Sequence, residues 1–145
     1  MAVTTKKVAL WRREVTNAPG LLADVLQPLA EAGVNLRVVM GYVFPGNRKR
    51  AAIEVFPVQG KQATAAARRA GLRPSPIPCL LVEGDDRPGL GAKLGGEVAD
   101  QGVNIAFVMA ETVGKKFSAV FGFQSDSDRE RAARAIKNAA QRRHR

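Results

Sequence analysis

The sequence predicts an α+β protein made of two copies of one small unit. Residues 18–36 and 87–105 are related by a constant offset of 69, and eight of the 19 aligned positions are identical. Ordinary residue usage would give roughly one or two identities. After the start of the first copy, apolar residues recur at the spacing of a helix. After both copies, apolar residues alternate with others, as is typical of strands. Two repeats in a chain of 145 residues indicate a duplicated domain rather than a solenoid.

The first unit, residues 1–77, is predicted to run strand, helix, strand, strand, helix and short strand. Its first helix begins at Pro19, which suits a first turn, and ends at Gly33. Apolar residues at i, i+3, i+4 and i+7 give that helix one buried face. Prolines weaken the last segment as a strand. The predicted elements are 8–15, 19–33, 34–42, 51–55, 59–70 and 72–77.

The second unit, residues 78–145, repeats this order but stops early. Its predicted elements are 79–83, 88–101, 103–109, 117–123 and 126–140. Both units therefore have the ferredoxin-like βαββαβ order, an antiparallel sheet with its helices on one face. Only the short basic tail 141–145 follows the last helix, so the second unit lacks a full last strand. Its sheet edge is either bare or covered by another segment or chain, which favours a homodimer.

Three glycines interrupt the predicted helix of the second unit: Gly91, Gly95 and Gly96. Each costs about 1 kcal/mol relative to alanine inside a helix. One interpretation, which we favour, is close packing of a thin helix over a sheet rich in phenylalanine. The other is that the glycines leave space for a ligand or a partner.

Composition and charge exclude several classes of protein. The chain is 46% hydrophobic and 25% charged, its N-terminus lacks the apolar core of a signal peptide, and no apolar run is long enough to span a membrane. A cytoplasmic location is expected, and the single Cys79 excludes an internal disulfide. The formal net charge of +10 suggests nucleic acid as a partner. The cations are scattered, however, so a basic solvated surface is the interpretation that we favour.

The sequence predicts no catalytic residue, no metal site and no cofactor. The one histidine, His144, lies in the tail, so neither a Ser-His-Asp nor a Cys-His set can be assembled around it. No metal-ligand spacing and no complete phosphate-binding loop is present. An enzyme is therefore not expected.

The repeated segment resembles the ACT domain. The first copy carries Asn17-Ala18-Pro19-Gly20-Leu21 and later Gly33-Val34-Asn35-Leu36, and the second matches better with Asp86-Arg87-Pro88-Gly89-Leu90 and Gly102-Val103-Asn104-Ile105. The resemblance covers most of the chain as two tandem copies. It implies a regulatory module that binds an amino acid or similar small ligand and acts through association with itself or with a metabolic enzyme. The alternative function is nucleic-acid binding through the basic surface.

The resemblance also implies a set of ligand-binding residues at each loop that leads into a helix. The free N–H groups of a helix start suit a carboxylate, and glycine there allows close approach. Asn17 and Asp86 are then ammonium ligands, with Asp86 the stronger candidate because it is charged, and Asn35 and Asn104 orient the ligand. Asn17 and Asp86 could instead be plain helix caps, and Asn35 and Asn104 could face solvent. The complete predicted set is Asp86, Arg87, Pro88, Gly89, Leu90, Asn104, Asn17, Gly20, Leu21 and Asn35.

Overall fold

The computed structural model describes the backbone of residues 3–142 and the side chains of residues 3–140. It divides the chain into two compact units. Ala9–Pro76 form one unit, which we call the inserted unit, and Met1–Val8 with Ile77–Arg145 form the other, which we call the outer unit. In chain order the elements are β1 (Val3–Val8), β2 (Trp11–Thr16), α1 (Leu21–Glu31), β3 (Val38–Phe44), β4 (Asn47–Phe56), α2 (Lys61–Arg69), β5 (Arg73–Pro74), β6 (Cys79–Asp85), α3 (Leu90–Ala99), β7 (Ile105–Val113), β8 (Lys116–Phe123) and α4 (Asp126–Arg142).

The inserted unit contains a four-stranded antiparallel sheet in the order β3-β4-β2-β5. Its apolar core joins alternate residues of the strands to one face of each helix, as the two periodicities require. Val25 and Leu29 of α1 are buried, but Leu22, which the helical period also assigned to the core, is 49% exposed. The buried members of this core are Trp11, Val25, Leu29, Ile53, Val55, Ala66, Ala67, Ala70 and Leu72.

The outer unit contains a second four-stranded antiparallel sheet, in the order β1-β6-β8-β7. The domain boundary predicted at residue 77 is therefore wrong at the N-terminus, because β1 belongs to the outer unit. β1 lies antiparallel to β6, with Val8 opposite Cys79 and Val3 opposite Gly84. The edge that the sequence left open is thus covered by another segment of the same chain.

Elementary sequence features explain why residues 3–8 form an edge strand. Val3, Thr4, Thr5 and Val8 are β-branched, which favours extended backbone. Lys6 and Lys7 are exposed, and lysine is common on edge strands because it discourages further pairing. Lys7 also forms a salt bridge with Glu130 of α4. The strand thereby takes the sheet position that β5 holds in the inserted unit.

The glycines of α3 are not explained by close packing, so the packing interpretation is wrong. A Cβ atom built on Gly91, Gly95 or Gly96 would meet no atom within 4 Å outside the local helix backbone. The core beneath α3 includes Phe117, Phe121 and Phe123 but not Phe107. A bulge between Ile105 and Phe107 shifts the register of β7. The Phe107 ring instead lies over Gly122, where a Cβ atom would approach it to 2.2 Å.

Two further predictions concern the tail and the membrane. The predicted basic tail, residues 141–145, lies outside the residues whose side chains are described. No helix within residues 3–142 combines the length and hydrophobicity needed to cross a lipid bilayer.

Candidate functional site

The loops that lead into α1 and α3 both end in a glycine of the same backbone conformation. Gly20 and Gly89 are the N-caps, both left-handed with φ of 88° and 84°, a conformation that a residue with a side chain rarely adopts. No side chain caps either helix start. The interpretation of Asn17 and Asp86 as simple helix caps is therefore wrong. The N–H groups of both first turns receive no side-chain acceptor from the described residues.

Each loop is held to the hairpin of its own sheet by the same backbone hydrogen bond. The N–H of Asn17 donates to the carbonyl oxygen of Lys49, and the N–H of Asp86 donates to that of Lys115, both at 2.8 Å. The Asn17 side chain has a further role, because its Nδ2 donates to the carbonyl oxygen of Arg48 at 3.2 Å. Since the amide nitrogen is engaged in this way, Oδ1 of Asn17 is presented as an acceptor.

A surface cavity of about 320 Å³ lies beside the first of these loops. We call it the loop cavity. Its size lies at the lower end of the range for small-molecule sites. It brings together three predicted site residues, Asn17, Gly20 and Leu21, with β3, the edge strand of the sheet in the inserted unit. The lining residues are Val15, Asn17, Ala18, Gly20, Leu21, Leu22, Gly41, Tyr42, Val43, Ala51, Ala52 and Ile53.

Asn35 is not part of the loop cavity. It follows the C-terminal end of α1, which has 11 residues and is therefore about 16 Å long. There it lines a different cavity of about 470 Å³, together with Gly60 and Lys61 at the start of α2. A third cavity, of about 530 Å³, includes Glu31, Lys61 and Arg69. Asn35 and Asn104 are both exposed, and Asn104 likewise follows the C-terminal end of α3.

The loop of the outer unit shares the left-handed glycine and the hydrogen bond to its hairpin, but its side chains differ, and the N–H of Leu90 there donates to the carbonyl oxygen of Arg87 at 3.3 Å. Asp86, Pro88 and Gly89 are exposed and Arg87 is half-buried. The side chain of Leu90 is buried in the outer core, whereas Leu21 is only partly buried against the core of the inserted unit. The neighbouring Asp85 pairs with Lys116 at 2.6 Å. The hydrogen bond from Lys116 and its charge lower the pKa of the Asp85 carboxyl.

A polar cluster that the sequence did not indicate connects the edge strand β3 to its neighbour β4. Glu54 of β4 is completely buried, and its Oε2 accepts a hydrogen bond from the hydroxyl of Tyr42 at 2.9 Å. Nη2 of Arg12 reaches the same hydroxyl at 3.5 Å, and its guanidinium lies 5.7 Å from the centre of the Phe44 ring. Burial, followed by the hydrogen bond and charge of Glu54, raises the pKa of Tyr42 above its ordinary value of 10.0. One wall of the loop cavity is thus anchored by a buried carboxylate.

Because the chain has a single tyrosine, the interaction of Tyr42 with Glu54 can be measured through the titration of that phenol. We expect the Tyr42 phenol to titrate above pH 10.0, and Glu54→Gln to lower its pKa, because the amide keeps an acceptor but removes the negative charge. The raised pKa contributes stability that is present below the ordinary pKa and is lost as pH rises through the folded value. Ultraviolet difference absorption of the phenolate measures the titration. Glu14→Gln, which removes the partner of Arg12 without touching Tyr42, is the control, and an equal shift there would contradict the assignment.

The comparisons with known proteins identify the fold and nothing finer. The sequence matches no protein-family model and no curated protein. In structure the chain is similar to protein BT0572 of Bacteroides thetaiotaomicron, with a TM-score of 0.76, 15% identity, and coverage of 94% of this chain and 90% of that one. It is also similar to the ligand-free regulatory subunit of aspartate kinase from Thermus thermophilus, with a TM-score of 0.61, 23% identity, and coverage of 94% and 95%. The corresponding subunit from Thermus flavus gives a TM-score of 0.60 at 24% identity, with coverage of 96% and 97%. The chain therefore has an ACT-like α+β fold, shared along nearly its whole length with regulatory subunits of aspartate kinase.

Proposed function

We propose that this chain is a regulatory protein that binds a free amino acid at the loops preceding α1 and α3. The observation that carries the proposal is the loop cavity, where uncapped helix N–H groups, Asn17 and an apolar wall surround a space of about 320 Å³. A free amino acid needs this combination, because its carboxylate and ammonium groups are adjacent and its side chain requires a separate surface.

The carboxylate of the ligand is assigned to the helix start. The first-turn N–H groups point out of a helix and carry the positive end of its dipole. Gly20 places no side chain in front of them, and no side chain of the described residues occupies them. Leu21, Leu22 and Val43 then provide apolar contact for the ligand side chain.

The ammonium group is assigned to the polar residue that precedes Pro19 or Pro88 by two positions. In the inserted unit this residue is Asn17, whose Oδ1 is available because its Nδ2 is bonded to the Arg48 carbonyl. In the outer unit it is Asp86, whose carboxylate adds a formal opposite charge. Both contacts are charge-assisted by the ammonium group, but only Asp86 adds the Coulomb attraction of an opposite formal charge, so the outer unit is the tighter of the two proposed sites.

A second copy of the chain completes the inserted-unit site. β3 is an edge strand. Its residues Val39 and Val43 are each 43% exposed, and Leu22 of α1 is 49% exposed. If two β3 strands pair antiparallel, the start of one lies beside the end of the other. Asn35 of the second copy then approaches the first loop, from which its own α1 separates it. Ligand binding and dimer formation are thereby coupled, as a regulatory role requires.

The proposed partner is a metabolic enzyme whose activity the ligand-bound form controls. Support comes from the two similar structures described as regulatory subunits of aspartate kinase. Within the described residues no group of three or more His, Cys, Asp or Glu side chains could hold a metal ion. We propose no catalytic activity for the chain itself.

Thermal unfolding in the presence of each common amino acid tests the proposal. We expect one amino acid, or a small related group, to raise the melting temperature. At 100 times its dissociation constant the gain is about 2.7 kcal/mol. Asp86→Ala should remove the larger part of that gain, and Asn17→Ala and Asn35→Ala a smaller part. The readout is the ligand-dependent difference for each variant, which cancels any change in basal stability.

Asp126→Ala provides a matched control. Asp126 is exposed at the start of α4 and, among the described residues, pairs with Arg129 in a surface salt bridge, so its removal should leave the gain intact. A wild-type chain that no amino acid stabilises at millimolar concentration would overturn the proposal. An equal loss in the Asp86→Ala and Asp126→Ala variants would overturn the assigned sites.

A further inference from the structure

The fold brings Arg13 from a distant part of the sequence to three arginines at the C-terminal end of α2. Arg68 and Arg69 form the last turn of α2, Arg73 lies in β5, and Arg13 lies in β2. β5 pairs with β2, placing Arg12 opposite Arg73 and Trp11 opposite Pro74. We call these four residues the arginine cluster.

Three members of the arginine cluster are held in place by the backbone or by an aromatic ring. Nη1 of Arg13 donates to the carbonyl oxygen of Ala70 at 3.1 Å. Nη1 of Arg73 donates to the carbonyl oxygens of Leu72 at 2.8 Å and Arg68 at 3.4 Å. The guanidinium of Arg68 lies 5.4 Å from the centre of the Trp11 ring. Because these side chains are already ordered, a partner would spend less free energy in fixing them.

Gly71 makes room for this arrangement. Its φ is +81°, and a Cβ atom there would come within 3.0 Å of Cδ and Nε of Arg13. The Arg13 side chain therefore lies directly over the backbone turn that ends α2.

The charge of the arginine cluster is not neutralised. Within the described residues, none of the four forms a salt bridge with a carboxylate. Glu31 lines one cavity with Arg69, but its Oε1 accepts from Gln27 and no ion pair joins it to Arg69. The C-terminal end of a helix supplies only about −0.5 elementary charge. Capping α2 thus accounts for a small part of four positive charges, and most of the charge is left for an external anion.

We infer that the arginine cluster is a docking surface for the phosphate backbone of a nucleic acid. Guanidinium groups match phosphate oxygens in a bidentate manner, and the formal net charge of +10 draws a polyanion toward the surface. Arg68, Arg69 and Arg73 are exposed, and none of the three cavities described above includes Arg13, Arg68 or Arg73. Several exposed guanidinium groups at one end of α2 can contact successive phosphates of an extended chain, which a single small anion cannot match. The inference is independent of the proposed amino-acid sites.

Binding at the arginine cluster is independent of base sequence. Trp11, the aromatic residue next to it, is only 8% exposed beneath Arg68 and offers no open face for base stacking. The contacts therefore reach phosphates, which carry no sequence information.

The test measures anisotropy of a labelled mixed-sequence DNA duplex over a range of salt concentrations. The full-length chain is compared with the triple variant Arg68→Gln, Arg69→Gln, Arg73→Gln. Arg13 is left in place because it packs on Gly71. We expect binding to weaken by at least about tenfold at low salt, and the slope of log affinity against log salt to become shallower by roughly three. A second duplex of unrelated sequence and a duplex RNA should give the same result.

The matched control is the triple variant Arg48→Gln, Lys49→Gln, Arg50→Gln. It removes three positive charges from the hairpin formed by β3 and β4 of the same unit. The two triple variants therefore have the same net charge and differ only in where the charges were removed. Retained binding and an almost unchanged slope are expected. Arg69→Gln alone, at an exposed position, should reduce the slope by about one without disturbing the fold.

Three outcomes with macromolecular ligands would overturn the inference, and a fourth involves inorganic phosphate. They are absence of duplex binding at low salt, equal losses in the two triple variants, and binding of an acidic polypeptide such as polyglutamate in preference to the duplex. Competition by inorganic phosphate at low millimolar concentration would also overturn it, because a single phosphate would then satisfy the surface.

Discussion

Deletion of residues 1–8 is expected to unfold the outer unit and to leave the inserted unit folded. The deletion removes all six register pairs between β1 and β6, the buried Val8 and the packing of Val3 on the outer core. Each lost hydrogen bond contributes about 0.5–1.5 kcal/mol, so the loss is several kcal/mol, which is comparable with the total stability of a small domain. Circular dichroism during heating should show a reduced helical signal and a separate transition of the inserted unit.

A permuted chain provides the control for this deletion. Residues 1–8 are moved to follow residue 145 through a flexible linker, which gives the outer unit the strand order of the inserted unit, with its last strand after its second helix. We expect this chain to regain the outer-unit transition. A deletion variant that melts like the full-length chain would contradict the role of β1.

Leu29→Ala is expected to destabilise the inserted unit by about 2–5 kcal/mol. Leu29 is 1% exposed and belongs to the core between α1 and the sheet. Its removal leaves a cavity that packed neighbours fill only in part. Urea unfolding followed by Trp11 fluorescence measures the effect, because the single tryptophan lies in the same core.

Leu22→Ala, on the same helix, is the matched control. Leu22 is 49% exposed, so its truncation should change the stability of the monomer by no more than about 0.5 kcal/mol. At high protein concentration the same variant should weaken self-association, because Leu22 lies beside the β3 edge in the proposed dimer. Equal losses for Leu22→Ala and Leu29→Ala in dilute solution would show that the monomer buries both side chains.

Local patterns predict most elements of this fold but not the exchange of the first strand. The alternation in residues 51–55 and 117–123 corresponds to parts of β4 and β8, because the period of two reports directly on burial. The pairing of β1 with β6 depends on a contact between residues about 70 positions apart, which no local period records. β1 was not predicted because the adjacent Lys6 and Lys7 interrupt the alternation of apolar and polar residues that indicates a strand.

The position of the candidate site was predictable to a similar degree. The glycines before α1 and α3 are conspicuous in the sequence because each loop is repeated, and the left-handed backbone explains their presence. The predicted helix 19–33 already implies that Asn35 and Asn17 lie at opposite ends of α1, whereas the loop cavity beside Asn17 requires the folded chain. The arginine cluster could not be predicted from the sequence, because Arg13 comes close to Arg68 and Arg73 only through the pairing of β2 with β5.

The interruption of the outer unit by the inserted unit determines the order in which a growing chain can fold. During synthesis residues 3–8 emerge well before their partner β6, which begins only at Cys79. Meanwhile Ala9–Pro76 form an uninterrupted segment that can fold before β6 leaves the ribosome. Once folded, that segment replaces a long flexible loop by a compact body, which lowers the entropy cost of joining β1 to β6. The inserted unit thus assists the folding of the unit whose chain it interrupts, and β1 remains an unpaired, lysine-protected strand until the second half of the chain is made.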